Sequence, residues 1–191
     1  MIFLVIKNSK FQSHTQFNII KNTIGNCFWL TGFSGTGKTT LSIYLTEYLR
    51  TKGRNVVRLD GDELRAVFAS FAYTKKDRLE LGFKYSKLCK LLTDQGCDVV
   101  IGVIGLFKEL HSWNRQNISN YIEIFIDTPL TELKKRDSKG IYSGTKLNVA
   151  GVDLKVDIPS SPDIRLEWEL GKVTKIMQIE LITKLKKLEK I

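Results

Sequence analysis

The sequence predicts an α/β protein in three layers, a mainly parallel sheet of about five strands with helices on both faces. Three observations predict it. Short apolar runs rich in β-branched residues recur, stretches of helical apolar spacing separate them, and the first strand leaves through a turn with glycine at 32, 35 and 37. Strands that alternate with helices are joined by crossovers, which make neighbouring strands parallel. One domain is expected over 1–191, with 1–26 as a leader on its edge and 137–160 as a flap.

Each element has its own signal. "CFWLT" (27–31) is a short apolar run ended by the glycine turn, a buried strand. From Lys38 to Arg50, Leu41, Tyr44, Leu45, Tyr48 and Leu49 recur at helical spacing, and Gly53 marks the stop. "NVVRLD" (55–60) is a second strand. A helix is expected over Lys75–Asp94, where Leu81, Tyr85, Leu88 and Leu92 share one face and Gly96 ends the run. "DVVIGVIG" (98–105) is apolar on both faces, as a central parallel strand should be. "YIEIFID" (121–127) is the fourth strand, and Pro129 suits the first turn of the helix after it. "DSKGIYSGTKLNVAGVD" (137–153) is polar, glycine-spaced and basic, and reads as a mobile flap. "PDIRLEW" (162–168) gives a fifth strand, and Val173, Met177, Leu181, Leu185 and Leu188 mark a closing helix.

Composition narrows the class. A hydrophobic fraction of 42% and a charged fraction of 26% fit a soluble globular protein. No apolar run approaches the roughly 18 residues of a membrane span, and "MIFLVIK" lacks the length and cleavage site of a signal peptide. A cytoplasmic address and no membrane partner follow. Cys27, Cys89 and Cys97 form no CxxC pair and read as buried thiols in a reducing compartment. His14 and His111 are isolated and read as structural or surface residues. The net charge of +10 invites nucleic acid. Its lysines are scattered, however, and the densest run, "KLKKLEK" (184–190), reads as a solvated helix face, so no nucleic-acid partner is expected.

The turn running through Gly32, Phe33, Ser34, Gly35, Thr36, Gly37, Lys38, Thr39 and Thr40 points to chemistry. Gly32-x-x-x-x-Gly37-Lys38-Thr39 has phosphate-binding spacing. Glycines let successive amides turn inward into a nest for phosphate oxygens, and the helix that follows adds partial positive charge. Lys38 then reaches the β/γ-phosphates and the Thr39 hydroxyl ligates Mg²⁺. The expected architecture is therefore a P-loop NTPase fold, and the expected ligands are ATP and Mg²⁺.

"LDGDELR" (59–65) follows the second strand. Ligands of open α/β sheets collect at the carboxyl ends of strands, so Asp60 and Asp62 are expected at the phosphate site. An aspartate that caps a helix is the structural alternative, yet two carboxylates around a glycine exceed what one cap needs. One can hold Mg²⁺ or its water while the other accepts a proton from an attacking hydroxyl. A short chain with an early phosphate turn and a late basic flap suits a small-molecule kinase, and no NKxD motif marks a switch-type GTPase. Arg65, Arg78, Lys108, Arg115, Arg136 and Lys139 are candidate clamps for anionic groups.

These stretches, with "DR" at 77–78, "IDTPL" at 126–130, "KRDSKGIY" at 135–142 and "GVD" at 151–153, resemble the adenylylsulfate (APS) kinases. The resemblance covers about residues 27 to 166. It implies transfer of the ATP γ-phosphate to the ribose 3′-hydroxyl of APS, giving PAPS. It also implies Asp62 as base for that hydroxyl, Asp60 and Thr39 near the metal, Arg65 and Arg78 on the acceptor nucleotide, Tyr73 as an aromatic beside it, and Lys139 in the closing flap. "LFKELHSWNRQNISNY" (106–121) resembles the divergent cytidine diphosphoramidate kinase branch, which acts on a CDP-linked capsule precursor. A homodimer is an open expectation, since members often dimerise.

Four positions depart from the family pattern. Ile104-Gly105-Leu106 stands where the family has Ile-Ser-Pro, Leu81 where it has asparagine, and Val149 where a phenylalanine stacks on the acceptor adenine. One lost stacking contact is worth roughly 1–3 kcal/mol. The acceptor is thus left open between APS and a CDP-linked nucleotide. A non-catalytic nucleotide-binding regulator is the alternative of another class, opposed by the intact Asp60, Asp62 and Thr39.

Overall fold

A computed structural model describes residues 23–70, 73–137, 140–143, 147–169 and 174–191. In chain order the elements are β1 (Cys27–Thr31), α1 (Lys38–Thr51), β2 (Val56–Asp60), α2 (Gly61–Val67), α3 (Lys75–Asp94), β3 (Asp98–Val103), α4 (Lys108–Asn117), β4 (Tyr121–Asp127), α5 (Leu130–Arg136), β5 (Ile164–Glu167) and α6 (Thr174–Lys187). The five strands lie in the order β2-β3-β1-β4-β5, and every pairing is parallel.

Strand alternation sorts side chains into two cores. Phe28 and Leu30 of β1, Val100 of β3 and Ile122 and Ile124 of β4 pack with Leu41, Leu45 and Leu49 of α1 and with Leu181 and Leu185 of α6. On the opposite face Trp29, Val99 and Ile101 meet Leu81, Tyr85 and Cys89 of α3 and Leu110 of α4. The sheet is thus buried on both sides, which explains why β3 carries no polar side chain from Val99 to Val103. Each fully buried leucine contributes about 1.5–3 kcal/mol.

Parallel register brings the carboxyl ends of three strands together, because Asp60 lies beside Gly102 and Thr31 beside Val103. The glycine turn and the segment from Gly61 onward both leave the sheet at this edge. α3 begins with a capping box in which Thr74 accepts from the Asp77 amide and Asp77 accepts from the Thr74 amide. Asp77 of the "DR" pair is therefore a structural residue that sets Arg78 on the first turn.

Several boundaries match the reading of the sequence, and others move. β1, β4 and α3 begin and end where expected, while β3 stops at Val103, leaving Ile104 and Gly105 in the loop beyond it. α4 had no clear signal, because two of the side chains it buries are the polar His111 and Asn114. Leu188 was expected on the apolar face of the closing helix. It follows the end of α6 and is exposed. Residues 1–22 of the leader, His14 and Val173 lie outside the described residues. The cysteines are free, and Cys27 and Cys89 are buried as expected, whereas Cys97 is only half-buried just before β3. Among the described residues no helix is long and apolar enough to cross a membrane.

Asp98 fastens the start of β3. Its carboxylate, nearly buried, accepts from the Asn26 amide at 2.8 Å and from Arg54 Nη2 at 2.8 Å. Removing Asp98 takes that acceptor from the Asn26 amide and from the half-buried Arg54 guanidinium. Asp98→Ala is therefore expected to lower unfolding free energy by about 1–3 kcal/mol, read from urea denaturation midpoints at constant m-value.

Candidate active site

The phosphate loop takes its shape from glycine. Gly35 and Gly37 have φ of 80° and 92°, values that side chains disfavour. Gly37 is the N-cap of α1 and offers no side chain to it, so the first amides of the helix stay open to an anion. Lys38 Nζ lies back on the loop, donating to the carbonyl oxygens of Gly32 at 2.9 Å and of Phe33. A phosphate arriving at these amides offers that ammonium a stronger, charged partner.

Asp60 ends β2 and joins two helices. One carboxylate oxygen accepts the Asp62 amide at 2.9 Å and caps α2, and the other accepts the Thr39 hydroxyl at 2.9 Å. The cap expected at this turn is thus Asp60, which leaves the Asp62 side chain exposed on the first turn of α2. Arg58 Nη1 lies 3.8 Å from Asp60. Thr39 and Asp60 present hard oxygen donors side by side, which suits Mg²⁺.

Two cavities meet at this point. A cleft of about 310 Å³ runs along the phosphate loop past Lys38, Thr39, Asp60 and Asp62. A second cavity of about 380 Å³ is lined by Asp62, Arg65, Tyr73, Arg78, Tyr142 and Val149, among others. Arg65 and Arg78 both lie over the Tyr73 ring, 4.4 and 5.2 Å from its centroid. Arg78 also donates to the carbonyl oxygens of Tyr73 at 3.0 Å and Asn148 at 2.7 Å. Burial, and then the neighbouring Arg65 charge, lower the Arg78 pKa, a strain that an anion between them would relieve.

The flap closes this cavity through specific contacts. The Tyr142 hydroxyl donates to the Ser34 carbonyl of the phosphate loop at 2.8 Å. A Cβ on Gly151, at φ 80°, would lie 2.5 Å from Phe33 Cε1, so only glycine lets the flap turn rest on that ring. Asp137 holds the flap's entry, accepting the amides of Ile141, Tyr142 and Ser143 at 2.7, 3.0 and 2.8 Å. The Ser143 hydroxyl and then these amides depress its pKa to about 2.

The structure brings Lys38, Thr39, Asp60, Asp62, Arg65, Tyr73 and Arg78 to one edge of the sheet. Lys139 lies outside the described residues. Arg115 is not at the site. It pairs with Glu123 at 2.7 Å and Asp163 at 3.1 Å and borders neither cavity, and Lys108 borders neither. Arg136 lies with Thr128 and Trp168 around a space of about 160 Å³ behind the phosphate loop, its guanidinium 5.9 Å from the Trp168 ring centroid. Tyr142 closes the "KRDSKGIY" stretch and Trp168 the expected fifth strand, but neither was assigned a role at the site. Tyr85 was read as core from its place on an apolar stripe, yet its hydroxyl donates to the Gly61 carbonyl at 3.2 Å. A tyrosine within such a stripe signals a polar tip in need of a partner.

A glycine loop that leaves the middle strand of a parallel sheet and enters a helix, with an acidic strand end beside it, defines a P-loop kinase. The adenylylsulphate kinase profile matches residues 24–167, and the chain belongs to that family. It is a phosphotransferase with an alcohol group as acceptor. It is 41% identical over 137 residues to the cytidine diphosphoramidate kinase of Campylobacter jejuni, covering 70% of this chain and 81% of that one. It is 33% identical over 154 residues to the adenylyl-sulfate kinase of a Picosynechococcus strain, covering 78% and 87%. The structure of the Mycobacterium tuberculosis APS kinase CysC in complex with AMPPNP and APS matches with a TM-score of 0.77 at 30% identity, over 85% of this chain and 98% of that chain.

The Asp137 tether holds at neutral pH. A depressed carboxyl stabilises above its ordinary pKa of about 3.9 and loses its effect as pH falls through about 2. Asp137→Ala is expected to speed limited proteolysis within 137–153 several-fold at pH 7, with α1 and the sheet remaining resistant. An unchanged cleavage pattern would show that the tether does not order the flap.

Proposed function

We propose that the chain transfers the γ-phosphate of ATP to the ribose 3′-hydroxyl of an activated nucleotide, as an enzyme of the APS kinase type. One observation carries the reading: Asp62 borders both the phosphate cleft and the cavity beneath Arg65 and Arg78. A carboxylate at the junction of a donor space and an acceptor space is where a hydroxyl must be held for in-line transfer.

Each residue then has a part. The amides of 34–39 cradle the phosphates, and Lys38 turns from the loop carbonyls to the transferring phosphoryl group. Thr39 and Asp60 would hold Mg²⁺, which supplies charge neutralisation at the phosphate oxygens when bound. Asp62 orients the acceptor hydroxyl and takes its proton. Arg65 and Arg78 grip the acceptor's anionic groups, and Tyr73, the aromatic beside the nucleotide, holds both guanidinium groups in place. Thr128, Arg136 and Trp168 surround the ATP base. The Tyr142 and Gly151 contacts set the flap over both molecules and exclude water. A cytoplasmic address fits a reaction that consumes ATP.

A second reading, with a CDP-linked acceptor, has two observations in its favour. The C. jejuni relative carries that activity in its name. In the acceptor cavity Val149 supplies a small aliphatic wall where an adenine would want a second stacking ring. Coupled ADP release measured with APS and with CDP-linked nucleotides separates the two, and silence with every nucleotide acceptor would overturn both.

Two substitutions test the assigned roles. Asp62→Asn is expected to lower kcat by about 10²–10⁴-fold while calorimetric ATP affinity stays unchanged. Arg78→Ala is expected to raise the acceptor KM about tenfold or more with the ATP KM unaltered.

A further inference from the structure

A small recess opens behind the two arginines. It has a volume of about 70 Å³, and Asp62, Arg65 and Arg78 stand at its mouth, where they also border the acceptor cavity. A nucleotide whose first phosphate meets those arginines must direct the group beyond that phosphate into the recess. One water needs about 10–15 Å³ of such space, so the recess admits a small tetrahedral group and excludes a base.

Its walls are mostly apolar, formed by Leu81, Val103, Phe107 and Leu110. Two polar groups interrupt them. The Trp29 indole N–H is fully buried and has no partner among the described residues, and a Cβ on Gly105 would lie only 3.4 Å from that nitrogen. The bare Gly105 therefore leaves open the space that this donor edge faces. The Tyr85 hydroxyl spends its proton on the Gly61 carbonyl and keeps its lone pairs for a donor. Burial raises the Tyr85 pKa to about 12, so the phenol stays protonated and that assignment of roles persists at neutral pH.

We propose that this recess receives the terminal group of the acceptor nucleotide, and that Trp29 and Tyr85 select a phosphoramidate terminus over a sulfate terminus. The inference rests on the nucleotide-acceptor reading above and deepens it. Joined through an anhydride oxygen to a nucleoside monophosphate, either terminus carries one negative charge, so the arginines do not distinguish them. They differ at one position, where the amidate has an N–H donor and the sulfate only an oxygen acceptor. Tyr85 accepts from the first, and faces the second with lone pair against lone pair unless it gives up Gly61. Trp29 donates to an oxygen of either. A buried site that hydrogen-bonds a substrate N–H discriminates against the analogue without it.

The test is calorimetric binding, with a non-hydrolysable ATP analogue present, of three ligands that share one nucleoside: cytidine diphosphoramidate, cytidine phosphosulfate and CMP. The wild type is expected to prefer the amidate. Tyr85→Phe, which keeps the ring, is expected to weaken amidate binding about tenfold and to leave phosphosulfate and CMP within about twofold. Gly105→Ala would place a methyl 3.1 Å from Val103 Cγ2 and 3.2 Å from Trp29 Cζ2. It is expected to weaken both extended ligands and spare CMP, and it serves if Tyr85→Phe melts early. An amidate-to-sulfate ratio that Tyr85→Phe leaves unchanged overturns the proposal, as does equal loss of CMP in the Gly105 variant. Turnover assays on the same samples report separately on the kinase reading, because a Tyr85-dependent binding preference without phosphate transfer would sink that reading and leave the recess assignment standing.

Discussion

The carboxylate of Asp60 is the joint on which the site depends. With one oxygen it caps α2 and with the other it receives the Thr39 hydroxyl from the first turn of α1. It does so from the end of β2, one strand removed from the glycine loop, with β3 between them. The bond therefore ties the start of α1, which carries the anion-binding amides, to the start of α2, which carries Asp62 and Arg65. Both helices point their N-termini at the same edge of the sheet. Two positive dipole ends and the Arg58 guanidinium, 3.8 Å away, then balance a buried carboxylate.

That joint explains how the two cavities keep a fixed relation. Asp62 follows its capping residue by two positions, so its place is set by the α2 cap and not by a flexible loop. Arg65 lies one turn further, and Tyr73 and Arg78 reach the same space from the start of α3, held by the Thr74–Asp77 capping box. Two guanidinium groups sharing one ring repel each other. The Tyr73 face, the Ser70, Tyr73 and Asn148 carbonyls and partial burial hold them there. Such a pair costs stability in the empty protein and is preorganised for an anion, which is the usual sign of a binding element.

Elements with one dominant periodicity were legible in the sequence. β1, β4 and α3 show it, since apolar runs, interrupted in β4 by Glu123, and a single apolar stripe map directly onto a sheet buried on both faces. The phosphate loop was legible because its glycines answer a backbone demand that no other residue meets. α4 was not, because it buries His111 and Asn114, and polar side chains partnered across the fold erase the stripe: His111 Nε2 lies 2.7 Å from the Gly105 carbonyl. Arg115 looked like a substrate clamp for the same reason. Its partners Glu123 and Asp163 are 8 and 48 residues away in sequence and adjacent only after folding. Tyr142 and Trp168 belong to stretches outside any regular element, where no period announces which side chain turns inward.

Leu106 is buried away from the cavities, and the other three departures from the family pattern fall on one side of the site. Leu81 and Gly105 line the recess behind the arginines, and Val149 lines the larger acceptor cavity. None of the three borders the phosphate cleft, where the loop glycines, Lys38, Thr39, Asp60 and Asp62 are all retained. A site decaying for want of use would lose residues without regard to which molecule they touch. These changes bear on the cavity and recess that the proposed acceptor would fill, and they leave the phosphate cleft unaltered. The nature of the changes agrees. Each trades a hydrogen-bonding or stacking side chain for one that offers neither, so specificity must pass to groups the pattern does not mark, and the unpartnered indole and the phenol facing the same recess are the polar groups left there to carry it.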